Sequence, residues 1–322
     1  MKLKTTIKTV ESNCNINHNQ KLLLSGSCFA ENMGRILKNR KFKLLINPLG
    51  ISYNPISLHH LLTAKSGDFQ DIQKKNGVYY HFQLHSVFNR LLKADFEENL
   101  KQCSNYQDRH LAETTSIFIS YGTAIVHELK NTNQVVNNCH KQPAAIFNKR
   151  FLSVDEITTS FEQCREFLEK KYKKSFQFIF TVSPVRHLKE GFRQNQISKS
   201  ILHLAVEKIT KLPNCHYFPS FEIMMDDLRD YRFYSEDLLH PNQTAIDYIW
   251  EKFEAAFCDE DCQQLNKKIK SIQQAMQHRA FLPQSNSHKN FLKQLEHQIK
   301  QLQIESKLDF QKEIEAIKEK LS

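Results

Sequence analysis

The chain has 322 residues, of which 40% are hydrophobic and 25% are charged, a composition that excludes a chain disordered throughout. The length favours one sizeable α/β core with an appendage. The formal net charge of +10 is compatible with an anionic substrate, but the lysines are scattered and no recognition motif is present, so no nucleic-acid partner is expected.

Short apolar runs alternate with helical patterns over residues 21–121. Each apolar run is typical of a buried strand in a parallel sheet. The predicted elements of this half are, in chain order, a strand over residues 21–24, a helix over 29–38, a strand over 43–46, a helix over 56–64, a β-ribbon over 78–87, a helix over 95–105 and a strand over 116–121.

The same alternation continues to residue 257, and the composition then changes. The predicted elements are a helix over residues 154–173, a strand over 176–182, a helix over 198–211, a short strand over 216–219 and a helix over 241–257. From residue 259 onward glycine is absent, and apolar residues recur every three or four positions. We therefore predict a core domain over 1–258 and a helical extension over 259–322, packed on the core or on a second subunit as a homodimer.

Alternating strands and helices predict a doubly wound, mostly parallel sheet with helices on both faces. Such sheets bind ligands outside the carboxyl ends of their strands. The chain contains only 7 glycines, which are therefore expected where a positive φ or a close backbone approach is needed. Gly26, Gly50 and Gly122 each follow or interrupt an apolar run, which places them in the predicted ligand-binding loops.

Neither an export signal nor a membrane span is recognised in the sequence. Residues 1–7 have no apolar stretch behind them, and no window approaches the ~18 consecutive apolar residues of a transmembrane helix. We therefore expect a cytoplasmic protein whose eight cysteines remain thiols. There is no CxxC pair, P-loop or dinucleotide-binding glycine motif, so no metal and no cofactor is expected.

Asp237 and His240 are three residues apart in a predicted turn, just before the helix that Pro241 opens. This spacing can bring the carboxylate to the imidazole Nδ1, which fixes the tautomer and supports the imidazolium formed in general-base catalysis. Such pairs also occur by chance, and a surface or helix-capping histidine explains His240 equally well. The pair therefore indicates catalysis only if the sequence also supplies a nucleophile.

Gly26-Ser27-Cys28 supplies such a nucleophile where a predicted strand turns into a helix. The helix dipole at this position lowers the pKa of a thiol and stabilises an oxyanion. A buried structural cysteine and a helix-capping serine are the alternative interpretations. The Asp237 and His240 pair, at the far end of the sequence, favours a catalytic role because it provides the general base.

The pentapeptide Gly26-Ser27-Cys28-Phe29-Ala30 resembles the signature of the GSCFA-domain family, which belongs to the SGNH (GDSL-type) hydrolase superfamily. An ordered series of further stretches supports the resemblance. These stretches are Asn47-Pro-Leu-Gly-Ile-Ser-Tyr-Asn-Pro55, His85-Ser-Val-Phe88, Tyr121-Gly-Thr-Ala124, Asn138-Cys-His-Lys141, Ser183-Pro-Val-Arg186, Ser198-Lys199 and Glu236-Asp-Leu-Leu-His-Pro241. The resemblance implies a three-layer, flavodoxin-like sandwich.

The resemblance also implies roles for individual residues. Aligning the glycine of the Gly-Asp-Ser block on Gly26 makes Cys28 the nucleophile, and a shift of one residue makes Ser27 the nucleophile instead. The last block, Asp-x-x-His, matches Asp237 and His240.

The expected oxyanion donors come from two further blocks. The second block corresponds to Asn47-Pro-Leu-Gly50 and contributes the Gly50 N–H. The third block, normally Gly-x-Asn, corresponds to Gly122-Thr123-Ala124 and lacks the asparagine. Asn138 and His140 are the candidates to replace that donor, whose loss can cost ~2.7–4 kcal/mol of transition-state stabilisation.

We therefore expect a hydrolase that acts on an ester or thioester of a small molecule or glycan. Cys28 or Ser27 would attack the carbonyl, His240 would move the proton and Asp237 would orient His240. A sugar or amine as acceptor would instead make the protein an acyltransferase. The remaining alternative is a non-catalytic binding module that keeps the SGNH shell, because the usual Asp-Ser pair and the block-three Asn are both missing.

Overall fold

The computed structural model describes residues 5–8, 12–278 and 280–321. Residues 1–4 belong to the N-terminal segment on which the expected cytoplasmic location rests, and they lie outside the described residues. No helix in the described ranges is long and apolar enough to cross a membrane. The location in the cell stays a prediction.

The chain alternates strands and helices from β1 to α7 and is helical after that. The elements are β1 (Lys21–Gly26), α1 (Cys28–Asn39), β2 (Lys43–Ile46), α2 (Pro55–Thr63), β3 (Gln73–Lys75), β4 (Val78–Tyr80), α3 (Lys93–Glu113), β5 (Thr114–Tyr121), β6 (Ile125–Leu129), β7 (Val135–Val136), β8 (Phe147–Phe151), α4 (Val154–Tyr172), β9 (Gln177–Val182), α5 (Phe192–Ile209), β10 (Cys215–Tyr217), α6 (Ser220–Glu222), α7 (Gln243–Phe257), α8 (Glu260–Gln277), α9 (Asn286–Ser306) and α10 (Gln311–Leu321).

Five strands form the central sheet in the order β2-β1-β5-β9-β10, and every pair is parallel. The chain leaves β1 toward β2 on one side and later returns to β5 on the other side. The sheet order therefore reverses between β1 and β5, the kind of crevice in which doubly wound proteins bind ligands. The predicted α/β fold is confirmed.

The alternation of side chains along the strands builds an apolar layer on each face of the sheet. Leu24 and Phe118 point into the layer covered by α1 and α7, where Phe29 and Phe253 are buried. Leu23 and Ile117 point into the opposite layer, which α2, α4 and α5 cover. Helices on both faces follow from this division.

Two sequence predictions differ from the structure. The ribbon predicted over 78–87 is a hairpin of β3 and β4 that ends at Tyr80, because Asn76 and Gly77, both with positive φ, form a turn earlier in the chain. A separate antiparallel sheet, in the order β7-β6-β8, was not predicted. Its strands are short and largely half-buried, so they lack the continuous apolar runs of the central strands.

The extension forms three helices whose apolar faces pack on one another. Ile269, Leu295 and Ile314, from α8, α9 and α10, are buried in one cluster. Polar contacts join this cluster to the carboxyl end of α1, where Arg40 Nη1 donates to Gln273 Oε1 at 3.1 Å. The domain boundary at residue 258 and the homodimer stay predictions.

Gly26 ends β1 with its backbone fixed on every side. Its N–H donates to Asn47 Oδ1 at 2.9 Å, and its carbonyl accepts from the Ser52 N–H at 3.1 Å. With φ of +136°, Gly26 lies so close to β5 that an added Cβ would be 2.2 Å from the Ser120 carbonyl oxygen. Only glycine fits here, and the next residues turn at once into α1.

Gly26→Ala is expected to lower the free energy of unfolding by at least ~2 kcal/mol, because backbone strain of about 1–3 kcal/mol adds to a clash with β5. Urea unfolding followed by the fluorescence of the single tryptophan, Trp250, measures the loss. Gly77→Ala is the matched control, since Gly77 has φ of +80° with open space around it. Strain alone there should cost about 1 kcal/mol, and equal losses in both variants would contradict the close approach.

Candidate active site

An open cavity of about 520 Å³ lies at the carboxyl ends of β1, β5 and β9. The loops that follow these strands, the loop after β2, parts of β6 and β7, and the turn before α7 form its walls. Cys28, Tyr53, Thr123, His187 and His240 are among the residues that line it. The cavity therefore contains the first residue of α1 and the histidine of the Asp-x-x-His motif.

Cys28 and Ser27 differ in what their side chains contact. The Ser27 side chain is buried, bonds to Ser120 Oγ at 2.9 Å and accepts from the Phe29 N–H at 3.3 Å as the N-cap of α1. Both residues line the cavity, but Cys28 is half-buried whereas Ser27 is only 1% exposed. In the described residues no acceptor is found for the Cys28 N–H, as expected in the first turn of a helix. This arrangement favours Cys28 over Ser27 as the nucleophile.

Asp237 and His240 are joined in a tight turn in which Leu238 has φ of +58°. Asp237 Oδ2 lies 2.6 Å from His240 Nδ1, while Oδ1 accepts from the N–H groups of Leu239 and His240 at 2.9 and 3.0 Å. These bonds, with the His240 N–H first, lower the pKa of Asp237 to about 2. The ionised carboxylate holds the proton on Nδ1, which leaves Nε2 as the basic atom.

The thiol and the imidazole line one cavity without a direct hydrogen bond among the described residues. The hydrogen-bond partner of Cys28 Sγ is instead the Tyr53 hydroxyl, at 3.4 Å. Burial, and after it the contact with Cys28, raises the pKa of Tyr53, so its phenol stays protonated and can donate. Sequence reasoning missed Tyr53, although it lies in the same family-like stretch as Asn47 and Gly50.

Asn47 and Gly122 support the site through their backbone and amide groups. Asn47 Oδ1 accepts from Gly26, and the Gly122 N–H donates to the Tyr53 carbonyl at 2.8 Å. The N–H of Thr123 donates to the same carbonyl at 2.9 Å. These bonds fasten the loop after β2 to the loop after β5, and they leave neither backbone N–H free to bind an oxyanion.

Gly50, Asn138 and His140 are not brought to the cavity. The Gly50 N–H donates to the Asn47 carbonyl at 2.8 Å within a turn, so it is not available as the expected oxyanion donor. Asn138 Oδ1 accepts from the His140 N–H at 2.8 Å, and His140 Nε2 lies 2.9 Å from the His81 carbonyl. The lining residues in this segment are Asn137 and Cys139, which flank Asn138.

Asn137 donates one hydrogen of its Nδ2 to the Ile51 carbonyl at 3.1 Å, which holds its amide against the loop after β2. His187 packs edge-on against the Tyr53 ring, with centroids 5.2 Å apart. Burial, followed by the charges of Lys199 and His240, lowers the pKa of His187 to about 4, so it is neutral near pH 7. In the described ranges, no group of three or more His, Cys, Asp or Glu side chains could hold a metal ion.

Lys199 lies fully buried on α5, beneath the cavity. Its Nζ donates to the carbonyls of Gly122 and Ser183, at 2.8 and 2.7 Å, and so joins the loops after β5 and β9. Burial lowers its pKa to about 7. A neutral amine still has two hydrogens, enough to keep both bonds.

Comparison with known proteins identifies the family. The model of the GSCFA family matches residues 21–253, and that of the GSCFA domain protein, C-terminal domain, matches residues 269–322. The chain belongs to the GSCFA family, which confirms the resemblance. A solved structure of a carbohydrate esterase family 3 from Talaromyces cellulolyticus is 9% identical, with 78% of this chain and 99% of that chain covered and a TM-score of 0.36. No curated protein matches.

The lowered pKa of Lys199 predicts that the stability of the protein depends on pH. The folded protein releases the Lys199 proton near pH 7 and the unfolded chain near 10.5, so the unfolded chain holds more protons between these values. The unfolding free energy of the wild type, relative to Lys199→Met, should therefore rise with pH over that window. Urea unfolding at pH 7, 8 and 9 measures the difference, with exposed Lys170→Met as control. A difference independent of pH would refute a neutral Lys199.

Proposed function

We propose that this protein hydrolyses acyl esters or thioesters with Cys28 as the nucleophile. The observation that carries the proposal is the meeting, in one cavity at the switch point of the sheet, of the Cys28 thiol and a histidine bound to a carboxylate. The thiol stands at the amino end of α1, where the partial positive charge of the helix dipole can stabilise negative charge that develops on the substrate. Asp237 binds the His240 ring at Nδ1 and leaves Nε2 available as the base.

Attack by Cys28 Sγ on the acyl carbonyl forms a C–S bond while His240 Nε2 receives the thiol proton. Because no direct bond joins the two side chains in the described structure, a water molecule in the cavity would carry this proton. Collapse of the tetrahedral intermediate breaks the bond to the alcohol, which leaves with the proton from His240. Water, deprotonated by His240, then cleaves the Cys28 thioester and restores the free thiol.

Two donors near Cys28 are suited to the oxyanion formed on attack. The first is the Cys28 N–H, which has no acceptor within the helix. The second is the Tyr53 hydroxyl, whose hydrogen is held on the phenol by its raised pKa and which already lies 3.4 Å from Sγ. Tyr53 would thus take the place of the missing block-three asparagine, in the role that Asn138 or His140 cannot fill from its observed position.

A non-catalytic binding module is the second candidate. The observation that favours it is the lack of a direct hydrogen bond between Cys28 Sγ and His240 among the described residues. A binding module would need the cavity, but it would not need a basic histidine. The two candidates therefore differ in whether His240 controls the reactivity of Cys28.

Cys28→Ala should abolish hydrolysis of p-nitrophenyl acyl esters, and His240→Ala should reduce kcat/KM by roughly 10²–10⁴, the usual contribution of a general acid–base group. Thiol labelling followed by mass spectrometry should show modification of Cys28 that slows in His240→Ala. Ser27→Ala is the matched control. It loses a helix cap worth ~1 kcal/mol but should keep both labelling and turnover.

Two results would count against this mechanism. Turnover lost in Ser27→Ala but kept in Cys28→Ala would move the nucleophile to Ser27. No turnover by the wild type, together with a Cys28 labelling rate that His240→Ala leaves unchanged, would favour the binding module.

Tyr53→Phe removes the proposed oxyanion donor and keeps the ring that packs on His187. The expected result is a decrease in kcat by roughly 10²–10³, the cost of one such donor, with KM little changed. Stopped-flow measurement of acylation and deacylation should show both steps slowed, since both pass through an oxyanion. A loss confined to KM would contradict the role of Tyr53 and assign it to substrate binding.

A further inference from the structure

Two cationic side chains line the cavity without a carboxylate partner. Arg186 and Lys189 belong to the loop after β9, and neither forms a salt bridge among the described residues. Glu190, the acidic residue in the same wall, is paired with Lys149. Arg186 and Lys189 therefore bring positive charge to the cavity without an ion-pair partner among the described residues, although Glu190 is adjacent to Lys189.

Arg186 is held in place by contacts that leave most of its donors free. Its guanidinium lies over the Tyr234 ring, 5.0 Å from the centroid, and Nη2 donates to the Tyr234 hydroxyl at 3.2 Å. Its backbone N–H donates to the Leu239 carbonyl at 3.4 Å, next to His240. A planar guanidinium that is fixed before the ligand arrives binds a carboxylate or phosphate with little further loss of entropy.

Lys189 adds a second, more exposed charge at the cavity. Its charge opposes the burial that raises the pKa of Cys139, and it also contributes to lowering the pKa of His127. Both of these residues line the cavity, so the Lys189 ammonium lies within electrostatic reach of its interior. Arg186 would give the geometry of anion binding, and Lys189 would attract the anion.

We propose that the ester substrate carries an anionic group, a carboxylate or a phosphate, which Arg186 and Lys189 bind while Cys28 attacks the acyl carbon. That the bound anion belongs to a substrate rests on the proposed ester hydrolysis. The binding of an anion at Arg186 and Lys189 does not depend on it. The competing explanation is that Arg186 only fastens the turn between Tyr234 and His240 through its contact with the Tyr234 ring. The two differ in whether the charge of the ligand matters.

Alkylation of Cys28 in the full chain separates them. Iodoacetate and iodoacetamide have similar size, and only iodoacetate is anionic, so the ratio of their rates at Cys28 measures attraction of an anion independently of turnover. Rates are read by mass spectrometry of the tryptic peptide over residues 22–35, whose one cysteine is Cys28. Arg186→Gln should lower the ratio roughly tenfold, and Lys189→Gln about twofold, since an exposed charge is screened.

The control is Arg109→Gln, an exposed arginine near the end of α3, which leads into the amino end of β5, whereas the cavity lies at the carboxyl ends of the strands. Its ratio should equal that of the wild type. If Arg186→Gln does not fold, Arg186→Met, which is also neutral, and Lys189→Gln serve instead. If the ratio of the iodoacetate rate to the iodoacetamide rate is unchanged in both the Arg186 and the Lys189 variant, or if both rates fall by the same factor, the anion site is refuted. Arg186 would then serve only to fasten the turn.

A second arm identifies the anion. Benzoate and phenyl phosphate are titrated as protectors of Cys28 against iodoacetamide, and the stronger protector indicates a carboxylate or a phosphate. Protection by either should disappear in Arg186→Gln, whereas protection by neither would overturn the proposal. A lowered alkylation ratio in a protein that hydrolyses no ester would support the anion site and refute the proposed function, so the two failures are distinguishable.

Discussion

The contact between Gly26 and the backbone of β5 is the constraint on which the cavity depends. The two strands lie close enough there that a methyl group would meet the Ser120 carbonyl oxygen at 2.2 Å. The side chain of Asn47 and the N–H of Ser52 complete the hydrogen bonds of Gly26. The chain therefore leaves the sheet at a fixed place and angle, and α1 begins with Cys28 at the reversal of strand order. The loop after β2 is held by the same bonds, which brings Tyr53 to the thiol.

Buried polar bonds fasten the loops around the cavity to one another. The Tyr53 carbonyl accepts two N–H groups from the loop after β5, and Lys199 joins that loop to the loop after β9. A buried lysine without a carboxylate partner is costly while charged, since bonds to two carbonyls offset only part of its desolvation. The fold accepts this cost at a point where three loops must keep their relative positions.

The fold could be predicted from the sequence because the central strands are apolar runs. Such runs can be recognised as strands without knowledge of distant residues. It also predicted that Cys28 and His240 belong together, because the ends of parallel strands converge. It did not predict which donors remain free. Gly50 has the expected type and place, but its N–H is used within its own turn. Tyr53 and Arg186 were not singled out from the sequence, since an aromatic or cationic residue in a loop carries no periodic pattern. Their proposed roles rest on contacts between loops far apart in the chain.

The C-terminal helices lie apart from the residues that line the cavity. The residues that line the cavity end at His240, so none belongs to α8, α9 or α10. The extension reaches the rest of the chain partly at the carboxyl end of α1, through Arg40 and the ion pair of Lys41 with Glu313. The amino end of the same helix holds Cys28, about 18 Å away for twelve residues. Substitutions in the tail can therefore reach the cavity only indirectly, through α1 or through the core into which Cys262 of α8 packs.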